Sequence, residues 1–208
     1  MAKLLYIEAS PRKKRSSSIA VAKEFLAEYQ KKHPKDEVQL LDIWKAHLPE
    51  FDGDTIDAKY AIMHNRPHTE EQLKAWKAVE ELINTFKNGD KYVFSLPMWN
   101  FGIPYKLKHF IDVLVQPGYT FKVSDKGYEG LVTGKKALLI YSRGGSYGSE
   151  TGANSLDLQK RYMEVILRFI GFEDLTSIVI EPTLAGEEKK QKSLKEAQEQ
   201  ISKIVSEF

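Results

Sequence analysis

KYVFSLPMWNFGIPYKLKHFIDVLVQ, residues 91–116, holds three kinds of sequence in succession. Tyr92–Leu96 is a short apolar run of the length of a buried strand. Pro97 breaks it. Met98, Trp99, Asn100, Phe101 and Gly102 follow, three large apolar side chains around one carboxamide. Pro104 then starts a helix, because a missing N–H costs nothing in the first turn and the fixed φ is already helical. The stretch therefore reads strand, aromatic loop, helix. In an open α/β sheet, the loop leaving the carboxyl end of a central strand is where ligands bind. Aromatic faces beside an amide that can both donate and accept suit a flat, partly polar ring. The competing reading for Met98, Trp99 and Phe101 is core packing, which a loop position after proline disfavours.

Upstream, Lys3–Ala9 is apolar without alternation (Leu4, Leu5, Tyr6, Ile7), as in a parallel strand buried on both faces. Ser10-Pro11 ends it, and a basic, serine-rich turn follows. Ile19, Ala22, Phe25, Leu26 and Tyr29 then recur at helical spacing to about His33. Glu37–Asp42 is a second strand. Residues 43–67 are long and irregular, with a short helix at Asp54–His64, and a loop of that length is functional or an insertion. Thr69-Glu70-Glu71-Gln72 is a capping box. It opens a helix carrying Leu73, Trp76, Val79, Ile83 and Phe86, for which Gly89 is the expected left-handed cap.

Downstream, alternation around Asp125-Lys126-Gly127 within Tyr119–Leu131 predicts a β-hairpin. Lys135–Ser142 is a strand, and Arg143–Gly152 is rich in glycine and serine. Ser155–Ile170 is a helix with Leu158, Tyr162, Val165, Ile166 and Phe169 inward, ended by Gly171. Leu175–Ile180 is a fifth strand. Glu187–Phe208 is an amphipathic helix with Leu194, Ala197, Ile201, Ile204 and Phe208 inward. Strands alternating with helices predict an α/β fold, a three-layer α-β-α sandwich around a five-stranded parallel sheet. Right-handed crossovers favour the flavodoxin-like order 2-1-3-4-5, with the hairpin as an excursion and residues 1–208 as one domain. The loops Ser10–Ser18, Pro97–Gly102 and Ser142–Gly148 then converge at the switch point.

Composition narrows the function. Of 208 residues, 42% are hydrophobic and 29% charged, which is the balance of a globular chain. No apolar run approaches the ~20 residues of a membrane helix, and the N-terminus lacks the apolar core of a signal peptide. The expectation is a cytoplasmic protein without membrane attachment. The absence of cysteine excludes disulfides, iron–sulfur clusters and thiol nucleophiles, including the low-molecular-weight tyrosine phosphatases that need a cysteine in the first loop. Five scattered histidines without a His-Glu-x-x-His predict no metal site. A net charge of +2 is too balanced for nucleic-acid binding.

Ser10, Ser16, Ser17 and Ser18 lie between a strand end and a helix N-terminus, where hydroxyls and free N–H groups cradle a phosphate or merely cap the helix. The Arg12–Arg15 run reads first as solvated charge. Ser142, Arg143, Gly144 and Gly145 follow a strand, and the glycines either let the backbone approach a ligand or make a left-handed turn. Tyr147 is a phenol near that site or a rim aromatic. His109, inside a helix, reads as packing, and Glu8 as structural. No nucleophile–base arrangement or carboxylate pair stands out, so no catalytic side chain is assigned. That pattern fits an enzyme whose cofactor carries the chemistry.

Serines for a phosphate, aromatics for a flat ring and a glycine turn at one switch point describe FMN. Pro97–Phe101, Leu107–Asp112, Thr120-Phe121, Gly130–Val132, Gly134–Ala137 and Ser142–Gly145 also occur in the order and spacing of a known family. Over essentially its whole length the chain resembles the FMN-dependent NADH-azoreductases, or quinone reductases. The resemblance implies a tightly bound FMN with Ser10 and Ser16–Ser18 on the phosphate, Pro97 and Met98–Phe101 around the ring, and Ser142–Gly145 on its polar edge. It implies ping-pong hydride transfer from NADH or NADPH to quinones or azo compounds. The unusually basic Lys13-Lys14-Arg15 leaves the choice of nicotinamide open. It also implies a homodimer with active sites at the interface, where Phe121 and the hairpin help form the substrate pocket. The rival readings are an electron-transfer flavodoxin and a signalling receiver on the same fold. The first is disfavoured by the charge of +2, and the second by Ser10 and Ser95 standing where it needs acids.

Overall fold

The computed structural model describes residues Met1–Phe208. Seven strands and six α-helices follow one another along the chain. They are β1 (Lys3–Glu8), α1 (Ser17–Lys32), β2 (Glu37–Asp42), α2 (Gly53–Met63), α3 (Glu70–Lys87), β3 (Lys91–Pro97), α4 (Tyr105–Leu114), β4 (Phe121–Ser124), β5 (Gly127–Gly130), β6 (Lys136–Ser142), α5 (Leu158–Ile170), β7 (Asp174–Ile180) and α6 (Glu187–Glu207). The main sheet is wholly parallel in the order β2-β1-β3-β6-β7. With the β4–β5 hairpin set aside, this is the expected flavodoxin order. β4 and β5 pair antiparallel, Phe121 opposite Gly130. No helix is long and apolar enough to cross a membrane.

Both faces of the sheet are buried, which is why its strands read as continuous apolar runs. Leu5 and Ile7 of β1, with Ala137, Leu139 and Tyr141 of β6, face α3, α4 and α5 in a core of 26 buried residues. Leu4 and Tyr6, with Leu138 and Ile140, face α1 and α6 in a core of 15. The larger face carries one more helix and the 43–67 segment. His109 anchors that segment, its Nε2 lying 2.8 Å from the Pro49 carbonyl, in keeping with a packing role.

The capping box of α3 forms in full: Gln72 N–H donates to Thr69 Oγ1 and Thr69 N–H to Gln72 Oε1. Three local expectations are corrected. Asn88, with φ −72°, caps α3, and Gly89 is not left-handed; a Cβ there would come within 2.9 Å of the Tyr92 ring, so the residue is small for space. α5 begins at Leu158 rather than Ser155, because the Asp157 carboxylate accepts from Lys160 N–H at 3.0 Å and caps it there. Its inward stripe is Gln159, Met163, Leu167 and Ile170, whereas Leu158 and Val165 are exposed. The apolar pattern of α5 is wider than its buried face.

Candidate active site

The carboxyl ends of β1, β3, β6 and β7 open onto two hollows that share one residue, Leu184. The smaller, about 270 Å³, is lined by Ser10, Arg12, Arg15, Ser16 and Ser17 from the β1–α1 loop and by Pro97 and Ser142 from the neighbouring strand ends. Thr183, Leu184, Glu187 and Lys190 close it from the β7–α6 side. Ser10 is fully buried, and its Oγ has no hydrogen-bond partner. Such an orphan hydroxyl costs free energy unless a ligand meets it. Ser16 Oγ caps α1 by accepting from Ile19 N–H at 3.4 Å and lies 3.2 Å from Ser18 Oγ. The N–H groups of Ser17 and Ser18, in the first turn of α1, have no partner in the chain. A free hydroxyl and free helix N–H groups, with Arg12 and Arg15 beside them, are the donor set a phosphate takes. Ser18 itself is buried, supports Ser16, and does not line the hollow.

The basic run separates into different tasks. Lys13 is left-handed at φ 49°, and its ammonium is held by Glu8 (2.8 Å) and Asp42 (2.5 Å). Burial lowers its pKa, but Asp42 and then Glu8 outweigh burial and raise it. Lys14 is exposed, while Arg12 and Arg15 line the hollow. Glu187 is held by Gln191 Nε2 at 2.6 Å and by Lys190 at 3.2 Å, and these contacts keep its carboxyl below the usual range and therefore ionised.

The second hollow, about 540 Å³, is lined by Met98, Asn100, Phe101, Gly144, Gly145, Tyr147 and Leu184. Trp99 N–H donates to Gly102 O at 3.0 Å and Gly102 N–H to Trp99 O at 2.9 Å, which closes a two-residue turn. Asn100 and Phe101 at its tip have φ of 48° and 68°, the left-handed pair of a type I′ turn. Asparagine tolerates this; phenylalanine stores strain there. The turn pushes Phe101 outward, where its ring meets Tyr147 edge-on at 6.2 Å. The Asn100 carboxamide has no partner in the chain. Met98 N–H donates to Ser142 O at 2.8 Å and so pins the loop to β6.

Trp99 turns to the other side of the same turn. It packs on Trp44 (5.8 Å) and Tyr105 (6.1 Å) above a separate hollow of about 660 Å³, and only Asn100 lines both. Trp44, fixed by its Nε1 to Ala9 O at 3.0 Å, was not singled out in sequence because it stands alone in an irregular segment. Phe121 packs on Phe169 (4.8 Å) and Tyr128 (6.0 Å) at the hairpin and lines neither of the two hollows.

Neither Gly144 nor Gly145 has a positive φ, so the left-handed-turn reading does not hold. Gly144 is needed for close approach: a Cβ would meet Leu184 Cδ1 at 2.8 Å. Leu184 N–H donates to Gly144 O (3.1 Å), and Thr183 donates to Arg143 O through both its N–H (2.9 Å) and its Oγ1 (2.8 Å). The β7–α6 loop is thereby drawn over the site. Sequence reading passed over Thr183, Leu184, Glu187 and Lys190 because β7 is an edge strand, away from the switch point. The one available signal was that every parallel strand ends at the same rim. Arg143 is the clearest reassignment. Its side chain is 2% exposed and points into the protein, to Asp157, Gln159 and Glu181, not into either hollow.

Comparison with known proteins finds relatives over the full length of the chain. The profile of a family described as having the flavodoxin-like fold matches residues 2–205. The FMN-dependent NADH:quinone oxidoreductase of Desulfotalea psychrophila is 47% identical over 209 residues, covering 100% of this chain and 98% of that protein. The protein of the same name from Nitratidesulfovibrio vulgaris is 48% identical, with both chains covered in full. Among solved structures, an azoreductase from Bacillus anthracis superposes with a TM-score of 0.92 at 32% identity, covering 100% of each chain. An FMN-dependent NADH-azoreductase from Bacillus anthracis in complex with FMN superposes at 0.89 with 28% identity, covering 99% of this chain and 100% of that one.

Proposed function

The chain belongs to the flavodoxin-like family of FMN-dependent NADH:quinone oxidoreductases and azoreductases, and we propose that its two neighbouring hollows together hold FMN, phosphate at Ser10 and ring at Phe101. It is an FMN-dependent oxidoreductase with NADH as donor, acting on quinones and azo compounds. The observation that carries the placement is the buried, unpartnered Ser10 hydroxyl beside a helix N-terminus, in a hollow that shares Leu184 with an aromatic one.

Bound FMN supplies the two-electron hydride relay between the nicotinamide and the acceptor. The chain's own residues hold and orient. Ser10 Oγ and the Ser17 N–H group would donate to the phosphate, with Ser18 supporting Ser16 from behind and Arg12 and Arg15 offsetting the charge. Met98, Phe101 and Tyr147 offer apolar faces to the ring. The free Asn100 carboxamide and the N–H groups of Gly144 and Gly145, which donate to nothing within the chain, would bond its polar edge. No carboxylate, histidine or lysine lines the ring hollow, so the protein contributes positioning and fixed donors. NADH and the acceptor would use the open side in turn.

A homodimer would cover that open side. Support comes from the hairpin: Phe121 is anchored on α5, and Tyr128 and Val123 remain 70% and 67% exposed although the Tyr128 ring also touches Phe169 at 5.5 Å. Sedimentation as a monomer at micromolar concentration overturns this part. The central test is a visible spectrum of purified protein given FMN, then anaerobic NADH, then a quinone. A retained flavin band that bleaches and returns is expected. Absence of the band overturns the placement, and bleaching without steady quinone turnover would favour an electron carrier.

A further inference from the structure

The ring hollow is bordered by residues 145–147, and this segment is held by very little. Gly145 and Ser146 make no hydrogen bond within the chain, and the segment's one bond is from Tyr147 N–H to Glu181 Oε2 at 3.2 Å. That same oxygen accepts from Arg143 Nη1 at 3.2 Å. Arg143 is itself fixed on its remaining sides. Its Nη2 donates to Asp157 Oδ2 at 2.7 Å and its Nε to Gln159 Oε1 at 3.1 Å, while Gln159 Nε2 reaches Leu96 O at 3.5 Å. One buried guanidinium thus joins the ends of β3, β6 and β7 to the start of α5. Its Cζ lies 5.7 Å from the Tyr141 ring centroid and 5.9 Å from that of Tyr147.

We propose that Arg143 and Glu181 are positioning residues for the flavin ring: Arg143 fixes the Glu181 carboxylate, and Glu181 fixes the Tyr147 backbone and the Gly144–Gly145 donors. The inference rests on the FMN placement above. A buried ion cluster is a poor source of fold stability, since desolvation offsets the attraction. What the planar fork of arginine provides is geometry, three partners held in one plane at once, which a lysine ammonium cannot reproduce. Neither the Arg143 nor the Glu181 side chain lines the phosphate hollow, which the clamp meets only through the Arg143 carbonyl bonded by Thr183. Its loss therefore weakens ring binding without changing the preference for a phosphorylated flavin.

The test titrates apoprotein prepared from the holoenzyme with FMN and with riboflavin, following flavin fluorescence and the shape of the visible band. Glu181→Ala should weaken both flavins by the same factor, on the order of tenfold, keep the wild-type FMN-to-riboflavin ratio, and move the band toward that of free flavin. Glu181→Gln keeps an oxygen for Tyr147 N–H and should restore most of the affinity. Arg143→Lys should resemble Glu181→Ala; if it does not fold, the Glu181 pair decides alone. Both Glu181 variants within twofold of wild type, a loss for FMN only, or no rescue by glutamine overturns the proposal. Wild-type protein that binds neither flavin overturns the FMN placement and this inference with it; wild-type binding with unchanged variants overturns only the clamp.

Discussion

The two ends of the site are built on opposite plans. At the Ser10 end the groups are small, polar and close in sequence: a buried hydroxyl, a capped helix and its free N–H groups, all within residues 10–18. At the Phe101 end they are aromatic and come from loops after different strands, around a strained two-residue turn. The first end can be preformed by a helix N-terminus alone. The second needs each loop held by another, as Met98 is by Ser142 and Tyr147 by Glu181. The difference is that the free donors of the Ser10 end come from one short stretch while the Phe101 end is assembled from several loops, so damage to the two ends should look different.

The largest effect should come from Ser10→Val, which fills the buried end and removes its free hydroxyl. FMN affinity should fall on the order of a hundredfold, since hydrogen bonds to a charged group carry about 1.5–3 kcal/mol and steric blocking adds to the loss. Riboflavin affinity should change far less, as read by fluorescence titration; equal losses would erase the distinction between the ends. Asn100→Ala should cost roughly tenfold for FMN and riboflavin alike, with slower quinone turnover. Unchanged flavin content in that variant would move the ring elsewhere.

Phe101→Asn tests the strain. Asparagine accepts a φ of 68° at little cost, so apoprotein stability should rise by about 0.5–1 kcal/mol, a Tm gain of ~2 °C, while ring binding weakens. A falling Tm would show that the Phe101 contacts outweigh the turn. The smallest effect concerns pH. Asp42 and Glu8 hold the folded Lys13 pKa above the ordinary 10.5 despite burial. A raised lysine pKa adds stability that is complete below the unfolded value and lost as pH rises through the folded one. Neutral to mildly alkaline buffer should leave this contribution intact, and loss should begin only above about 10.5. Lys13→Met should flatten that alkaline limb in a Tm series.

Much of the frame was legible because it rests on periodicity. Glu37–Asp42 is a strand with the boundaries read from sequence, the Thr69–Gln72 box caps its helix, and the unalternating runs at 4–7 and 92–96 lie in strands covered on both faces. Pattern failed where one residue type serves several ends. Gly89 is small for the Tyr92 ring rather than for φ, and Leu158 and Val165 fit the apolar spacing of α5 yet face outward. Among the candidate residues, Ser10, Ser16, Ser17, Ser142, Met98, Asn100, Phe101 and the glycine pair line the two hollows, as their place after strands suggested. Trp99, Arg143 and Phe121 were grouped with them because sequence shows that a residue belongs to a loop and not where its side chain turns.

By itself the sequence determined the parallel five-stranded order and the rim where the candidate loops converge, because hydrophobic spacing and connection handedness leave few alternatives. Only the tertiary structure decided which side chains of that rim face the site. It turned Arg12 and Arg15 toward the Ser10 hollow and Lys13 away to Glu8 and Asp42. It brought Leu184 across from an edge strand and sent Arg143 inward to two carboxylates. The physical reason is that a charge or polar group takes its direction from its partners, and these partners lie between 5 and 38 residues away along the chain.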